Sequence, residues 1–292
     1  MYELNQVSDR CYYIQSPAKI GLVRTGDTSV VLIDSGNDKD AGKKVLRLLE
    51  GKGWTLEAIY NTHSHADHIG GNRFLQEHTG CRIYAPGIEY DFTRAPILEP
   101  SYLYGGNPPS ELRHKFLMAQ PSRVKELASE DLPDCMQMIP LPGHAFDMVG
   151  YRVDNVIYLA DCLSSEATLA KYRISFLVDP KKYIETLLQV REMEADWFIP
   201  AHADATQEIR SLCDINIACV REIADHITAL CTQAQTGEDI LAALFAEYGL
   251  TMTMEQHALV GSTVRSYLTY LSEEGRIVPT IRNNRLMWQA QS

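Results

Sequence analysis

The sequence has no long hydrophobic run. Its longest strongly apolar stretches, such as Val30–Ile33 and Phe198–Ala201, are far shorter than the ~20 residues that cross a bilayer. The first residues, Met-Tyr-Glu-Leu-Asn-Gln, have neither a basic start nor an apolar stretch, so the sequence predicts no signal peptide. We therefore expect a cytoplasmic protein that has no membrane partner.

Paired cysteines and an excess of positive charge are also missing. None of the seven cysteines has Cys-x-x-Cys spacing, which favours reduced thiols over a disulfide framework or a zinc ribbon. The 292 residues include 27 basic and 38 acidic side chains, and the net charge of −11 argues against broad attraction to nucleic acid. At 45% hydrophobic and 22% charged, the composition is that of a globular protein and excludes disordered, collagen-like and coiled-coil classes.

Residues 1–235 alternate between strand and helix patterns. Short apolar segments bounded by turn residues predict strands, and apolar residues at helical spacing, such as Ala41 and Val45, predict helices. The predicted strands lie near 2–7, 11–16, 18–24, 29–34, 57–61, 82–85, 135–140, 149–153, 156–160 and 197–200, and the predicted helices near 38–52, 69–79, 180–195 and 205–233. The apolar strands end at polar clusters, so we expect a mixed α/β domain with its polar residues gathered at strand ends.

The segment 86–133 is rich in Pro, Tyr and Gly, and the sequence predicts an irregular segment with one helix near 110–119. Irregular segments of this length inside a domain are usually functional, so we expect a wall of the substrate site. A small hydrophobic cluster beneath a long loop is the alternative. The candidate substrate contacts are Tyr90, Arg94, Tyr102, Tyr104, Arg113 and Phe116.

A different pattern begins at residue 236. Two helices near 238–249 and 254–274, followed by short strands near 276–281 and 285–289, give the outline of a small winged-helix-like α+β domain, residues 236–292. Residues 237–292 include four Arg, no Lys and six acidic residues, whereas nucleic-acid readers present a basic helix or wing. We therefore expect this domain to pack, to form a homodimer or to shape the mouth of an active site, with nucleic-acid binding as the alternative.

Seven residues of metal-ligand type follow predicted strands. The segment His63–His68 places three histidines and Asp67 within six positions, directly after the strand at 57–61. A helix cap explains one of these residues and leaves the three imidazoles unexplained. His144, Asp161 and His202 each lie just beyond another predicted strand. Imidazoles and carboxylates suit zinc and neighbouring first-row metals, and seven of them are about what two adjacent ions need.

At these positions the chain resembles the metallo-β-lactamase-fold hydrolases, whose five metal-site motifs match it in order. The resemblance implies an αββα sandwich in residues 1–235, and two zinc ions with iron or manganese as alternatives. It implies a first metal held by His63, His65 and His144, a second held by Asp67, His68 and His202, and Asp161 bridging the two. It also implies that Asp34, in Ile-Asp-Ser-Gly, supports the metal-binding loop from behind the ligands.

The function implied is hydrolysis of an ester, thioester or lactone in a small molecule by a hydroxide between two metals, with Asp67 as the catalytic residue that orients it. The segment Asn61–Asn72 is similar to that of glyoxalase II, the hydroxyacylglutathione hydrolase. That enzyme has Gly-Asp-Thr where this chain has Ala160-Asp161-Cys162, which puts glutathione specificity in doubt.

Two alternatives remain open at this point. Endoribonucleases or phosphodiesterases of the same fold have Gly-Asp-Cys at the bridging carboxylate, close to Ala160-Asp161-Cys162. Persulfide dioxygenases share the His-x-His-x-Asp-His segment and use part of the ligand set for a single iron ion. The leading expectation is nevertheless a small-molecule substrate.

Overall fold

The structure is a computed structural model and describes residues 2–291. Its strands form a seven-stranded sheet in sequential order, a four-stranded sheet in the order β11-β10-β9-β8, and a three-stranded sheet in the order β12-β14-β13. The strands are β1 Glu3–Gln6, β2 Cys11–Gln15, β3 Ile20–Arg24, β4 Ser29–Ile33, β5 Thr55–Tyr60, β6 Arg82–Ala85, β7 Val124–Glu126, β8 Met136–Pro140, β9 Val149–Val153, β10 Val156–Ser164, β11 Trp197–His202, β12 Gln235–Thr236, β13 Ile277–Arg282 and β14 Arg285–Ala290.

Ten α-helices accompany these strands in residues 2–291. They are α1 Lys39–Lys52, α2 Ala66–Ile69, α3 Asn72–Thr79, α4 Gly87–Arg94, α5 Leu98–Tyr104, α6 Glu166–Tyr172, α7 Pro180–Arg191, α8 Arg210–Leu230, α9 Gly237–Glu247 and α10 Met254–Glu273. Short 3₁₀ turns lie at Ser110–Leu112 and Ser129–Asp131. None of the helices in the described part of the chain is both long and apolar enough to cross a membrane.

The two larger sheets form the middle layers of an αββα sandwich. Alternate residues of β4 point to opposite faces, so that Val31 and Ile33 join Tyr151 and Tyr158 of the second sheet in one buried cluster. Val30 and Leu32 instead pack against α1 and α3 on the outer face. The α/β sandwich expected from the resemblance is therefore confirmed.

Parallel strands explain where the polar loops gather. In the first sheet β4, β5, β6 and β7 run parallel, and in the second β10 and β11 run parallel. Because parallel strands end at the same edge of a sheet, the loops that follow them lie close together. The loops after β4, β5 and β11 carry or adjoin the candidate ligands.

The predicted helix at 69–79 is wrong in detail, because the chain forms two helices, α2 and α3, around Gly70 and Gly71. A Cβ added at Gly70 would lie 2.3 Å from the backbone of Asn37, and one at Gly71 would lie 2.3 Å from the carbonyl oxygen of Ser35. These two glycines are needed because the loop after β4 passes directly against them.

The segment 86–133 also differs from the prediction. Its first part is helical, with α4 and α5 at Gly87–Arg94 and Leu98–Tyr104, although Pro100 marked it as irregular. Proline is tolerated in the first turn of a helix, where its missing N–H has no partner to lose. In place of the helix predicted near 110–119, the structure has only the 3₁₀ turn Ser110–Leu112. The apolar residues Leu112 and Leu117 are nevertheless buried, in a cluster with residues of α5 and α10.

The C-terminal segment contains the two helices and two strands that the sequence predicts, with β12 as a third short strand. It packs on the rest of the chain through one continuous hydrophobic cluster, which joins Leu159 of β10 and Leu187 of α7 to Leu244 of α9 and Leu268 of α10. The division at residues 235 and 236 and the winged-helix likeness stay predictions.

Replacing Leu268 by Ala tests this shared cluster. The side chain is 1% exposed, so its loss leaves a cavity, and we expect the free energy of unfolding to fall by about 2–5 kcal/mol. Leu286→Ala, at a residue 48% exposed on β14, should change it by less than about 0.5 kcal/mol. Urea unfolding should show one transition for the whole chain, and separate transitions for the two segments would contradict a shared core.

Candidate metal centre

Four loop or strand segments converge at the edge between the two large sheets. The chain leaves β5 and reaches His63 three residues later, and the helix α2 then begins at Ala66. His144 lies between β8 and β9, Asp161 lies on β10, and His202 is the last residue of β11. Residues distant in sequence are therefore placed side by side by the strand order alone.

The structure brings all seven candidate ligands together, in the two groups that the resemblance implies. The first group is His63, His65, His144 and Asp161, and the second is Asp67, His68, Asp161 and His202. Within each group, one candidate ligand atom per residue lies within 4.8 Å of the others. Asp161 belongs to both groups, so its carboxylate is the point at which they meet.

The distances show how closely these atoms approach. Oδ1 of Asp161 lies 2.9 Å from Nε2 of His68, and Oδ2 lies 3.1 Å from Nε2 of His202 and 3.5 Å from Nε2 of His144. Nδ1 of His65 lies 3.0 Å from Nε2 of both His63 and His144. His65 therefore faces the centre with Nδ1, whereas the other histidines face it with Nε2.

Unsatisfied atoms indicate that a cation fits here. Nε2 of His68 and Oδ1 of Asp161 are fully buried, yet within residues 2–291 neither has a hydrogen-bond partner of acceptable geometry. Buried polar atoms are otherwise almost always paired, because leaving one unpaired costs about 1–3 kcal/mol. Imidazole nitrogens and carboxylate oxygens converging from several sides are the donor set that zinc prefers. The residues present therefore fit two divalent metal ions.

Burial keeps the first group of imidazoles neutral. It lowers the pKa of His65 to about 3 and that of His63 well below its ordinary value, with the neighbouring histidines adding to the effect. Burial also lowers the pKa of His144. A neutral imidazole has the lone pair that a metal needs, so this group is ready to bind without losing protons.

The second group is held by opposite charges. The carboxylate of Asp161 raises the pKa of His202 to about 10, against the effect of burial. For His68, burial would lower the pKa, but Asp161, Asp67 and Asp34 outweigh it and raise the pKa well above its usual range. Desolvation would raise the pKa of Asp67, but His68 and His202 lower it to about 2.

Asp34 holds the ligand loop from behind, as the resemblance implies. Its Oδ2 lies 2.7 Å from Nδ1 of His68 and accepts a hydrogen bond of 2.8 Å from the hydroxyl of Thr62. The backbone N–H of Thr62 donates to Oδ1 at 2.8 Å. The Thr62 hydroxyl in turn lies 3.0 Å from Nδ1 of His63. The Asp34 carboxylate therefore orients His68 directly and His63 through Thr62. This role of Thr62 was not predicted from the sequence.

Two buried glutamates were also missed. Glu89 of α4 is 1% exposed and accepts hydrogen bonds from the backbone and hydroxyl of Ser64 at 3.0 and 2.6 Å. Glu99 of α5 is 8% exposed and faces His65. Burial raises the pKa of Glu89, and it raises the pKa of Glu99 to about 8. The sequence signal for these residues was one glutamate in each of two short helices. It was not used because the segment 86–133 was predicted to be irregular.

The cavity beside the centre is not lined by the predicted substrate contacts. It has a volume of about 590 Å³, and His144, Asp161 and His202 form its floor. Its walls come from residues 164–177 and from α10. Tyr102 packs on Phe146 near the centre, and Tyr90 and Arg94 stack on each other. Tyr104, Arg113 and Phe116 are exposed. Contact of these residues with a substrate stays a prediction.

Metal binding should release protons from the second group. Because the pKa values of His68 and His202 are raised, both rings are protonated near neutral pH, whereas a ligand must be neutral. We expect zinc binding at about pH 7 to release about two protons, and the affinity to rise with pH because a higher pH deprotonates both rings. Calorimetry in buffers of different ionisation enthalpy measures this release. His202→Ala should release about one proton fewer, and binding without proton release in the wild type would contradict the charge assignment.

Comparisons with known proteins agree with this geometry. The profile of the metallo-beta-lactamase superfamily matches residues 15–202. A hydroxyacylglutathione hydrolase of Bradyrhizobium sp. is 31% identical over 156 residues, which cover 53% of this chain and 48% of that protein. The chain thus spans about half the length of this relative, and less of several others.

Two solved structures match nearly the whole chain, including the C-terminal segment. A beta-lactamase domain protein from Burkholderia ambifaria has a TM-score of 0.74 at 17% identity, covering 99% of this chain and 94% of that one. A metallo-beta-lactamase family protein from Thermus thermophilus has a TM-score of 0.72 at 17% identity, covering 100% of this chain and 98% of that one. At this identity the likeness concerns the fold. The profile match, the sandwich and the His/Asp centre together place the chain in the metallo-β-lactamase superfamily.

Proposed function

We propose that this protein is a metal-dependent hydrolase that cleaves an ester, thioester or lactone bond in a small molecule. The observation that carries the proposal is the pair of ligand groups that meet at Asp161 on the floor of a 590 Å³ cavity. Relatives named hydroxyacylglutathione hydrolase, whose name describes cleavage of a thioester, support this bond class.

The donor set would hold two zinc ions, with iron or manganese as alternatives. When bound, such ions supply a Lewis acid and lower the pKa of water from ~15.7 towards 7. The protein fixes the positions of the ligands. Asp34 and Thr62 hold two of the imidazoles, and the side chain of Asp161 is buried, with 7% of it exposed. No protein nucleophile is needed, and the adjacent Cys162 is fully buried with a raised pKa.

Asp67 is the carboxylate that can act on the substrate side. Its side chain is 40% exposed, whereas that of Asp161 is 7% exposed. Its Oδ2 lies 3.2 Å from Nε2 of His202, and its lowered pKa keeps the carboxylate ionised at neutral pH. An ionised Oδ2 beside His202, which lines the cavity, can accept a hydrogen bond from an attacking water.

The cavity favours a small, partly apolar substrate. Ile174, Phe176 and Leu259 offer apolar contact, and Ser164 and Thr168 offer hydroxyl groups. A volume of this size lies within the ~300–1,000 Å³ of small-molecule pockets. Lys171 is the one Lys or Arg side chain in the lining, whereas an RNA site needs a basic groove. These features favour a small molecule over the endoribonuclease alternative, and the second ligand group favours a dinuclear centre over a single iron.

Metal analysis together with one substitution tests the proposal. Protein purified without chelator should contain about two metal ions per chain, and removing them should abolish the hydrolysis of model thioesters, esters or lactones. Asp67→Asn should lower kcat at least about 100-fold, because the neutral amide accepts a proton poorly. His78→Gln is the matched control, since His78 lies on α3 and stacks on Phe74 outside the centre. At most one ion per chain, or an unchanged kcat in Asp67→Asn, would contradict the proposal.

A second experiment decides which segment selects the substrate. Leu259 of α10 lines the cavity, so Leu259→Trp should lower kcat/KM for long acyl chains about 10-fold or more relative to acetyl substrates. Phe116→Ala, at a residue 65% exposed in the 86–133 segment, should leave this ratio unchanged. If Phe116→Ala shifts chain-length preference and Leu259→Trp does not, the segment 86–133 is the substrate wall after all.

A further inference from the structure

The helices α4 and α5 each direct one buried glutamate towards the loop that follows β5. Carboxylates are almost never fully buried unless they are paired. Glu89 is paired, because it accepts hydrogen bonds from Ser64 and, at 3.1 Å, from the backbone N–H of Asp147. It thereby joins the loop after β5 to the loop before β9. No hydrogen bond of this kind accounts for the burial of the Glu99 carboxylate in residues 2–291.

The one charged or ionisable nitrogen near Glu99 belongs to a candidate metal ligand. Its Oε1 lies 3.6 Å from Nε2 of His65, and among residues 2–291 no Lys or Arg nitrogen comes within 4.0 Å of the carboxylate. The side chain of Glu99 is 11% exposed and that of His65 is 17% exposed. This pair therefore lies inside the protein and not at its surface.

The pocket beside this carboxylate is small. The void between Glu99 and His65 has a volume of about 10 Å³, and Phe92, Phe146 and Phe176 contribute to its walls. Such a volume holds one water molecule at most. The cavity that adjoins the metal centre is a separate one, and neither Glu99 nor His65 lines it. A pocket of this size has no room for a substrate, so the structure favours a role through His65.

The orientation of the His65 ring explains why a carboxylate lies beside its Nε2 atom. Its Nδ1 faces the centre, 3.0 Å from Nε2 of both His63 and His144. An imidazole that binds a metal through Nδ1 carries its proton on Nε2, and here Nε2 faces Glu99. The other imidazoles of the motif have equivalent support, since Thr62 stands behind His63 and Asp34 behind His68.

We propose that Glu99 is a positioning residue of the metal centre, which accepts the Nε2–H of His65 and fixes that ring with Nδ1 towards the first metal position. The helix α5 is then part of the metal centre, and the segment 86–133 supports a ligand that Asp34 does not contact. The inference rests on the metal centre used by the proposed function, although it does not depend on the reaction.

Metal competition measures this role directly. Zinc titrations against a chromophoric chelator should show two tight sites in the wild type, and in Glu99→Ala one of them should be about 10–100-fold weaker. Glu99→Gln keeps an oxygen that can accept the Nε2–H, so it should recover part of that loss. Glu111→Gln, an exposed glutamate of the same segment, is the matched control and should bind zinc as the wild type does. The visible spectrum of the cobalt-loaded protein should change in Glu99→Ala, because the orientation of one ligand changes.

Melting temperatures without metal separate positioning from a purely structural role. Metal-free Glu99→Gln should melt no lower than the metal-free wild type, because it removes a buried carboxylate, whereas zinc should raise its melting temperature less. Equal zinc affinities in all four proteins, or an equal loss of melting temperature with and without zinc, would overturn the inference. A wild type that binds two ions but hydrolyses no substrate would contradict the proposed function and leave the affinity result for Glu99 standing in support.

Discussion

The constraint on which the rest of the structure depends is the burial of Asp161 among histidines from three segments. A buried carboxylate is costly unless cations or polar groups surround it, and Nε2 of His68, His202 and His144 lies 2.9, 3.1 and 3.5 Å from its oxygens. Asp161 lies within β10 and cannot move outward without breaking the second sheet. The loops must therefore come to it, which explains why the first sheet ends its parallel strands at the same edge. The sandwich is the means by which five histidines are held around one fixed carboxylate.

Two of the six non-glycine residues with positive φ in residues 2–291 lie at the same place. Ala160, directly before Asp161, has a φ of 51°, and the pairing of β10 with β11 shifts register on both sides of it. Asp34 has a φ of 66°. An L-residue in the left-handed region costs about 1–2 kcal/mol, and such residues persist where the surroundings determine them. At Ala160 the buried methyl group packs in the core, and at Asp34 the side chain satisfies His68 and Thr62. Both positive-φ positions place a carboxylate against His68, so the strain is compensated by contacts that this backbone geometry allows.

The sequence predicted the parts of the fold and site that depend on local signals. Alternating apolar residues located the strands of both large sheets to within a few residues, except β7, whose three residues lie in the segment predicted to be irregular. The spacing in His63–His68 located the ligand loop. The helices α4 and α5 were missed because proline in a first turn resembles proline in a loop. Glu99 and Thr62 could not be assigned roles, because the contact of Glu99 with His65 spans 34 positions and depends on how α5 packs. The wall formed by α10 likewise depends on a core shared by residues about 100 positions apart.

The two additions to the sandwich act on different parts of the same centre. The segment 86–133 reaches the ligands from behind, through Glu89 on the loop and Glu99 on His65, and so governs how the imidazoles are held. The C-terminal segment lines the cavity through Gln256, Leu259 and Thr263 of α10. Because α10 also packs against α5 in a small cluster that contains Leu103 and Ala258, the two additions touch each other. The contact between α5 and α10 therefore joins the wall of the cavity to the helix that carries Glu99 beside His65.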